Sequence, residues 1–154
     1  MKNLYFLLVI VTVGYSCNSS KNAKDERSDL VLKVTTTSDY CGGVAPSDKV
    51  LENLKAPKMY AEKEIYVTTE SKLNEQIIKL TTDSKGMITT KLEKGTYFVY
   101  LPEKSTTKFT TGGNEKACRQ WRNKPNGNFY VTDEEHELAV TLHITCSPCG
   151  APRM

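Results

Sequence analysis

The sequence predicts an all-β protein: a seven-stranded antiparallel sandwich with Greek-key connections and one short helix. Three observations predict it. Apolar residues recur at every second position in seven short runs, the pattern of strands with one buried face. Clusters of turn residues separate the runs. Leu92-Glu93-Lys94-Gly95-Thr96-Tyr97 has the spacing of a tyrosine corner. In that motif a Tyr near a strand start returns its hydroxyl to the backbone upstream and pins a Greek-key crossover.

The elements follow in order. Leu30, Leu32 and Val34 alternate with Val31 and Lys33 in the first strand. Ser47 can cap one or two helical turns with Val50, Leu51 and Leu54 on one side, and Pro57 ends them. Ile65 and Val67 alternate with Glu64 and Tyr66, and Ile78 and Leu80 precede Thr81-Thr82-Asp83. Asp83-Ser84-Lys85-Gly86 reads as a hairpin turn in which Gly86 supplies a positive φ. Ile88, Thr90 and Leu92 form the next strand, and Tyr97, Val99 and Leu101 share one face of the one after. The segment from Glu103 to Pro125 exceeds the about 12–15 residues usual for a structureless connection. It therefore reads as a flap, held by a disulfide and covering one sheet. Phe129 and Val131 follow Asn126-Gly127-Asn128, and His136, Leu138, Val140, Leu142 and Ile144 form the longest run.

The amino end is organised differently. One charge, Lys2, precedes an apolar run from Leu4 to Val13, then Gly14-Tyr15-Ser16-Cys17 and an abruptly polar stretch. That is the layout of a secretory signal. The run is shorter than the ~20 apolar residues that span a bilayer. The small-small-Cys ending resembles a lipobox, with Tyr15 at a position where Ala or Gly is commoner. The resemblance implies residues 1–16 as a lipoprotein signal peptide and 17–28 as a lipidated flexible tether. A β-sandwich domain at 29–150 and a tail at 151–154 complete the chain. Acyl groups on Cys17 would anchor the protein to a membrane. Lys24-Asp25-Glu26 also resembles a basic-then-acidic signal for export to the cell surface in some Bacteroidetes lipoproteins.

About 125 residues beyond the tether suffice for one domain and one core. The 21 basic residues against 18 acidic ones are scattered, and nucleic acid is not an expected partner, because that wants a basic stripe. No repeat at solenoid spacing is visible.

Leu80-Thr81-Thr82-Asp83-Ser84-Lys85-Gly86, followed by Leu92 to Tyr97 and Phe98-Val99-Tyr100, resembles bacterial carboxypeptidase regulatory-like domains. The resemblance implies their transthyretin-like sandwich, and it carries no active site with it. Tyr40-Cys41-Gly42-Gly43 and the short helix stand where that family has a Gly-rich opening segment. The segment from Tyr40 to Pro46 and the cysteine-rich ending are similar to uncharacterised Bacteroidetes lipoproteins.

Cys17 apart, four cysteines remain: Cys41, Cys118, Cys146 and Cys149. An even number in an exported chain points to two disulfides. Three pairings exist. If the last two strands form a hairpin, Cys118 meets Cys146 or Cys149 at one end of the sandwich, and Cys41 takes the other. The alternatives are metal and thiol-redox chemistry. Cys146-Ser147-Pro148-Cys149 has Cys-x-x-Cys spacing, but Cys41 and Cys118 are single, so four-thiolate zinc spacing is half met. No helix follows to lower a thiol pKa. His143 is a further candidate ligand, on the strand face opposite Leu142 and Ile144.

Catalytic groups are sparse. His136 and His143 lie in no nucleophile or metal motif. Asp133-Glu134-Glu135 reads as an acidic turn, and Glu62 and Glu64 as one strand face. Gly112-Gly113-Asn114 reads as a flexible loop and not as a phosphate cradle preceding a helix. Tyr60, Tyr66, Phe98 and Tyr100 point away from the inferred core, and Arg119, Trp121 and Arg122 are candidates for a binding surface. The expectation is a non-catalytic, lipid-anchored envelope protein with no cofactor. It would act as a binding or accessory module at the outer membrane, facing outward, with a protein or glycan partner. The alternative is a metal-handling or thiol-redox protein using the cysteine cluster.

Overall fold

The computed structural model describes residues 28–72 and 76–150; the expected signal at 1–16, Cys17 with the rest of the expected tether up to residue 27, and the tail at 151–154 lie outside the described residues, and Ser28, expected as the last tether residue, opens the first strand. Eight strands and three helices are present among the described residues: β1 (Ser28–Ser38), α1 (Asp48–Lys55), β2 (Lys58–Met59), β3 (Glu64–Thr68), β4 (Ile78–Thr81), β5 (Met87–Leu92), β6 (Gly95–Tyr100), α2 (Glu103–Thr106), α3 (Glu115–Asn123), β7 (Gly127–Val131) and β8 (Glu137–Ile144). The strands form two four-stranded sheets.

In the first sheet β1 is central. Along one edge β8 runs parallel to it, from Val31 opposite Glu137 to Ser38 opposite Ile144. On the other edge β5 lies antiparallel to its first half and the two-residue β2 to its second. The second sheet is antiparallel throughout, in the order β4-β3-β6-β7. Leu30, Leu32 and Val34 of β1 are at most 1% exposed. They share one apolar core with Val140 and Leu142 of β8, Ile65 and Val67 of β3, Tyr97 and Val99 of β6, and Phe129 and Val131 of β7. Each of these sets is spaced by two, as the pleat requires.

Four expectations are corrected. There are eight strands and not seven, because β2 has two residues and is too short to show a period. The pairing is not wholly antiparallel: alternation reveals a strand but not its direction, and β1 joins β8 in parallel. The last two strands are not a hairpin, because β7 and β8 belong to different sheets. The Asn126 carbonyl accepts the His143 N–H and its side-chain amide donates to the His143 carbonyl, both at 2.8 Å, so one residue bridges the two. Finally, Glu103–Pro125 contains two helices where none was expected. Ala117, Cys118 and Trp121 have helical spacing, but in a nine-residue element dominated by charge.

Two of the corners between the sheets are pinned by hydrogen bonds. At one, β5 passes to β6 through Glu93 and Lys94, and the Tyr97 hydroxyl donates to the Glu93 carbonyl at 2.9 Å, which is the tyrosine corner. At the other, β2 passes to β3 beside the β4–β5 turn. There the Glu62 N–H donates to the Asp83 carbonyl and the buried Thr82 N–H to the Lys63 carbonyl. Gly86 has φ 73°, and the Asp83 carboxylate accepts the Lys85 and Met87 N–H groups at 2.8 Å each. Those bonds hold the Asp83 carboxyl below its usual pKa. The turn joins strands of different sheets, so it is a crossover and not the hairpin expected. Glu62, at φ 54°, precedes β3 and does not share a strand face with Glu64.

Candidate functional site

β1 starts where the tether would end and delivers Asp39, Tyr40 and Cys41 to the opposite end of the domain. β8 delivers Thr145 and Cys146 there too, because it runs parallel to β1. Two disulfides close this end. Cys41 bonds Cys146 with Cα atoms 5.5 Å apart, across 105 residues of chain. Cys118 of α3 bonds Cys149 with Cα atoms 4.6 Å apart, across 31 residues. The two sulfurs of Cys146-Ser147-Pro148-Cys149 are thus bonded to different partners and not to each other.

Between the two bridges lies a cleft of about 810 Å³. Its walls are Tyr40 to Gly43, Thr145 to Ser147 with Gly150, Glu103 with Thr107, Lys108 and Thr110, and Trp121. Tyr40 is 38% exposed, with its ring lying over Gly42, where a Cβ would meet it. The lining is therefore one accessible aromatic ring, four hydroxyl-bearing residues, glycine backbone, one carboxylate and one ammonium group.

The cleft's floor is rigid. Trp121 is 9% exposed, packs with Cys118 and Cys149, and donates its Nε1–H to the Thr145 hydroxyl at 2.9 Å. Lys104, 1% exposed, lies with its ammonium 4.9 Å from the Trp121 ring centroid. It donates to the Trp121 and Lys124 carbonyls at 2.9 and 2.6 Å, occupying carbonyls at the end of α3. Burial pushes its pKa down to about 8, with Lys124 adding to the shift and Glu103 opposing it. Arg122 donates from Nε to the Lys104 carbonyl at 3.0 Å and from Nη2 to that of Ser105 at 3.4 Å. α2 and α3 are therefore cross-bonded into one strap. The Tyr100 hydroxyl donates to the Asn123 carbonyl at 3.2 Å, which fixes the strap to the outer face of the second sheet.

The three residues read as a binding surface are not brought together. Trp121 is turned inward, Arg122 is half-buried in the strap, and only Arg119 is exposed, where it meets Glu115 at 3.5 Å. The sequence offers Trp121 only as a candidate because the helix that turns it inward is not apparent among its charged neighbours. Tyr60, read as outward, belongs to the main core, and burial first, then Glu103, raises its pKa to about 12. Tyr66 and Tyr100 do leave the inner face, but they are buried. Gly112-Gly113-Asn114 does precede a helix, contrary to expectation: Asn114 Oδ1 accepts the Ala117 N–H at 2.9 Å and caps α3.

The histidines sit apart from the cleft. His136 is exposed just before β8, with Nδ1 3.1 Å from the Asp29 carbonyl. His143 is exposed as expected, between the Thr37 hydroxyl and Asp39 at 3.1 Å each. Among the described residues no cluster of three His, Cys, Asp or Glu side chains could hold a metal ion. No described helix is long and apolar enough to cross a membrane.

The class defined so far is a two-sheet β protein with a polar cleft between two disulfides. No protein-family model and no curated protein matches the chain. Among solved structures it is similar to a DUF3823 family protein from Parabacteroides merdae ATCC 43184, at 13% identity and a TM-score of 0.28. The alignment covers 75% of this chain and 46% of that one, so the chain spans about half the length of that protein.

Proposed function

We propose that the protein is a non-catalytic, lipid-anchored binding module of the cell envelope, built on a transthyretin-like sandwich and taking a glycan in the cleft at its disulfide-bonded end. One observation carries this reading: the cleft lies at the opposite end of β1 from Ser28, where the tether would end. An eleven-residue strand spans about 35 Å, so a domain anchored through Cys17 presents its cleft away from the membrane. The lining suits a sugar, with a ring to stack on and hydroxyl and backbone groups to hydrogen-bond. The corner at Tyr97 supports the transthyretin-like reading.

Two measurements test it. Labelling with palmitate should mark the full chain and not Cys17→Ser. Titration with a panel of neutral oligosaccharides should reveal a ligand whose affinity falls about tenfold in Tyr40→Ala, the loss expected for about 1.4 kcal/mol of stacking. Binding that is unchanged in Tyr40→Ala overturns the cleft as the site.

A further inference from the structure

The strap has a second face that the cleft does not use. Cys118 and Trp121 turn inward, so the other side of α3 faces solvent. Along it Lys116, Arg119, Gln120 and Asn123 recur at i, i+3, i+4 and i+7, and Lys124 follows as the extended residue that ends the helix. All five are exposed. Exposed Lys72, from the chain after β3, faces them across a shallow depression of about 560 Å³. Its described lining holds four cationic side chains and two carboxamides but no carboxylate. Arg119 also pairs with Glu115, at 3.5 Å.

We propose that this depression binds an acidic polysaccharide, with Lys72, Lys116, Arg119 and Lys124 meeting its carboxylates and the amides of Gln120 and Asn123 its hydroxyls. Three features favour that occupant. Lys116 and Arg119 stand about 4.5 Å apart along the helix axis, close to the advance of one sugar unit in an extended chain, so two successive acidic sugars find successive partners. The carboxamides are neutral donors and acceptors, suited to hydroxyls. The one aromatic residue of the helix, on which a nucleic-acid base would stack, is turned inward. The proposal is independent of the cleft, which lies on the other side of the strap.

The test uses the full chain immobilised on a sensor surface, with polygalacturonate as probe. Dextran, vesicles of phosphatidylglycerol and a single-stranded oligonucleotide serve as comparisons. Polygalacturonate should bind in a salt-dependent way and dextran should not bind at this face. The variant combining Lys116→Gln, Arg119→Gln and Lys124→Gln should bind about tenfold more weakly while keeping its circular dichroism and both disulfides. Tyr40→Ala should leave this binding unchanged, which separates it from the cleft. Absence of polygalacturonate binding, equal binding by the triple variant, or tighter binding of the vesicles or the oligonucleotide overturns the proposal.

Discussion

Lys104 is the residue whose chemistry is most displaced by its surroundings. Its pKa falls from 10.5 to about 8 because the ammonium is buried. Between those values the unfolded chain holds a proton that the folded chain has released, so stability rises with pH across that window. The full gain is about 3 kcal/mol. Tyr60 acts in the opposite sense: with a folded pKa of about 12 against 10.0, it stays protonated above pH 10 while the unfolded chain ionises, and stability falls there. Urea midpoints should therefore climb from pH 8 to 10 and then decline. Lys104→Met should abolish the climb, whatever its absolute stability; an unchanged climb would show that the ammonium is not the group responsible. At Tyr97 the bond to Glu93 is worth about 1 kcal/mol, and Tyr97→Phe should lower stability by that amount without disturbing the core stacking on Phe129. Gly113 is the tightest backbone approach in the strap: a Cβ there would lie 2.8 Å from the Cys149 carbonyl group. Gly113→Ala should lower the melting temperature and speed proteolysis between α2 and α3.

At the scale of elements, the disulfides divide the work. The 105-residue bridge from Cys41 to Cys146 removes more freedom from the unfolded chain than the 31-residue bridge from Cys118 to Cys149. Chain entropy predicts about 4–5 and about 3–4 kcal/mol respectively. Replacing Cys118 and Cys149 by Ala should cost the smaller amount, yet it should loosen the strap more, because those sulfurs pack directly on Trp121. Proteolysis that cuts Glu103–Pro125 in this variant and not in the Cys41, Cys146 double variant would show it. The seven longer strands were legible in the sequence through their period of two, which in β1, β5, β7 and β8 follows one buried face, as in Leu30, Leu32 and Val34. Gly86 and Tyr97 were legible because each answers a local backbone demand. What escaped was non-local or too short. The direction of β8 against β1, the passage of β7 and β8 into separate sheets, and the two-residue β2 leave no local trace. α3 hid its apolar side behind six charged or amide residues out of nine, and the inward Trp121 was misread with it. The cleft itself was not foreseen, since Tyr40 and Thr145 meet only through the parallel pairing of β1 with β8, and Thr107 reaches them only with the strap.

For the whole molecule, one apolar interior is shared by both sheets. Intact mass under denaturing, non-reducing conditions should be lower by four hydrogens than after reduction, two for each bridge; a smaller difference would contradict the pairing seen. The side-by-side arrangement of β1 and β8 also sets the order of events during synthesis. Thr35 and Thr141 share a hydrogen bond at 3.0 Å although 106 residues separate them. A ribosome makes β1 about a hundred residues before β8, so this edge of β1 stays unpaired until they have been added. Any nascent or prematurely terminated product lacking the carboxyl end is left with an open apolar edge, and such fragments should be the ones that quality-control proteases remove first.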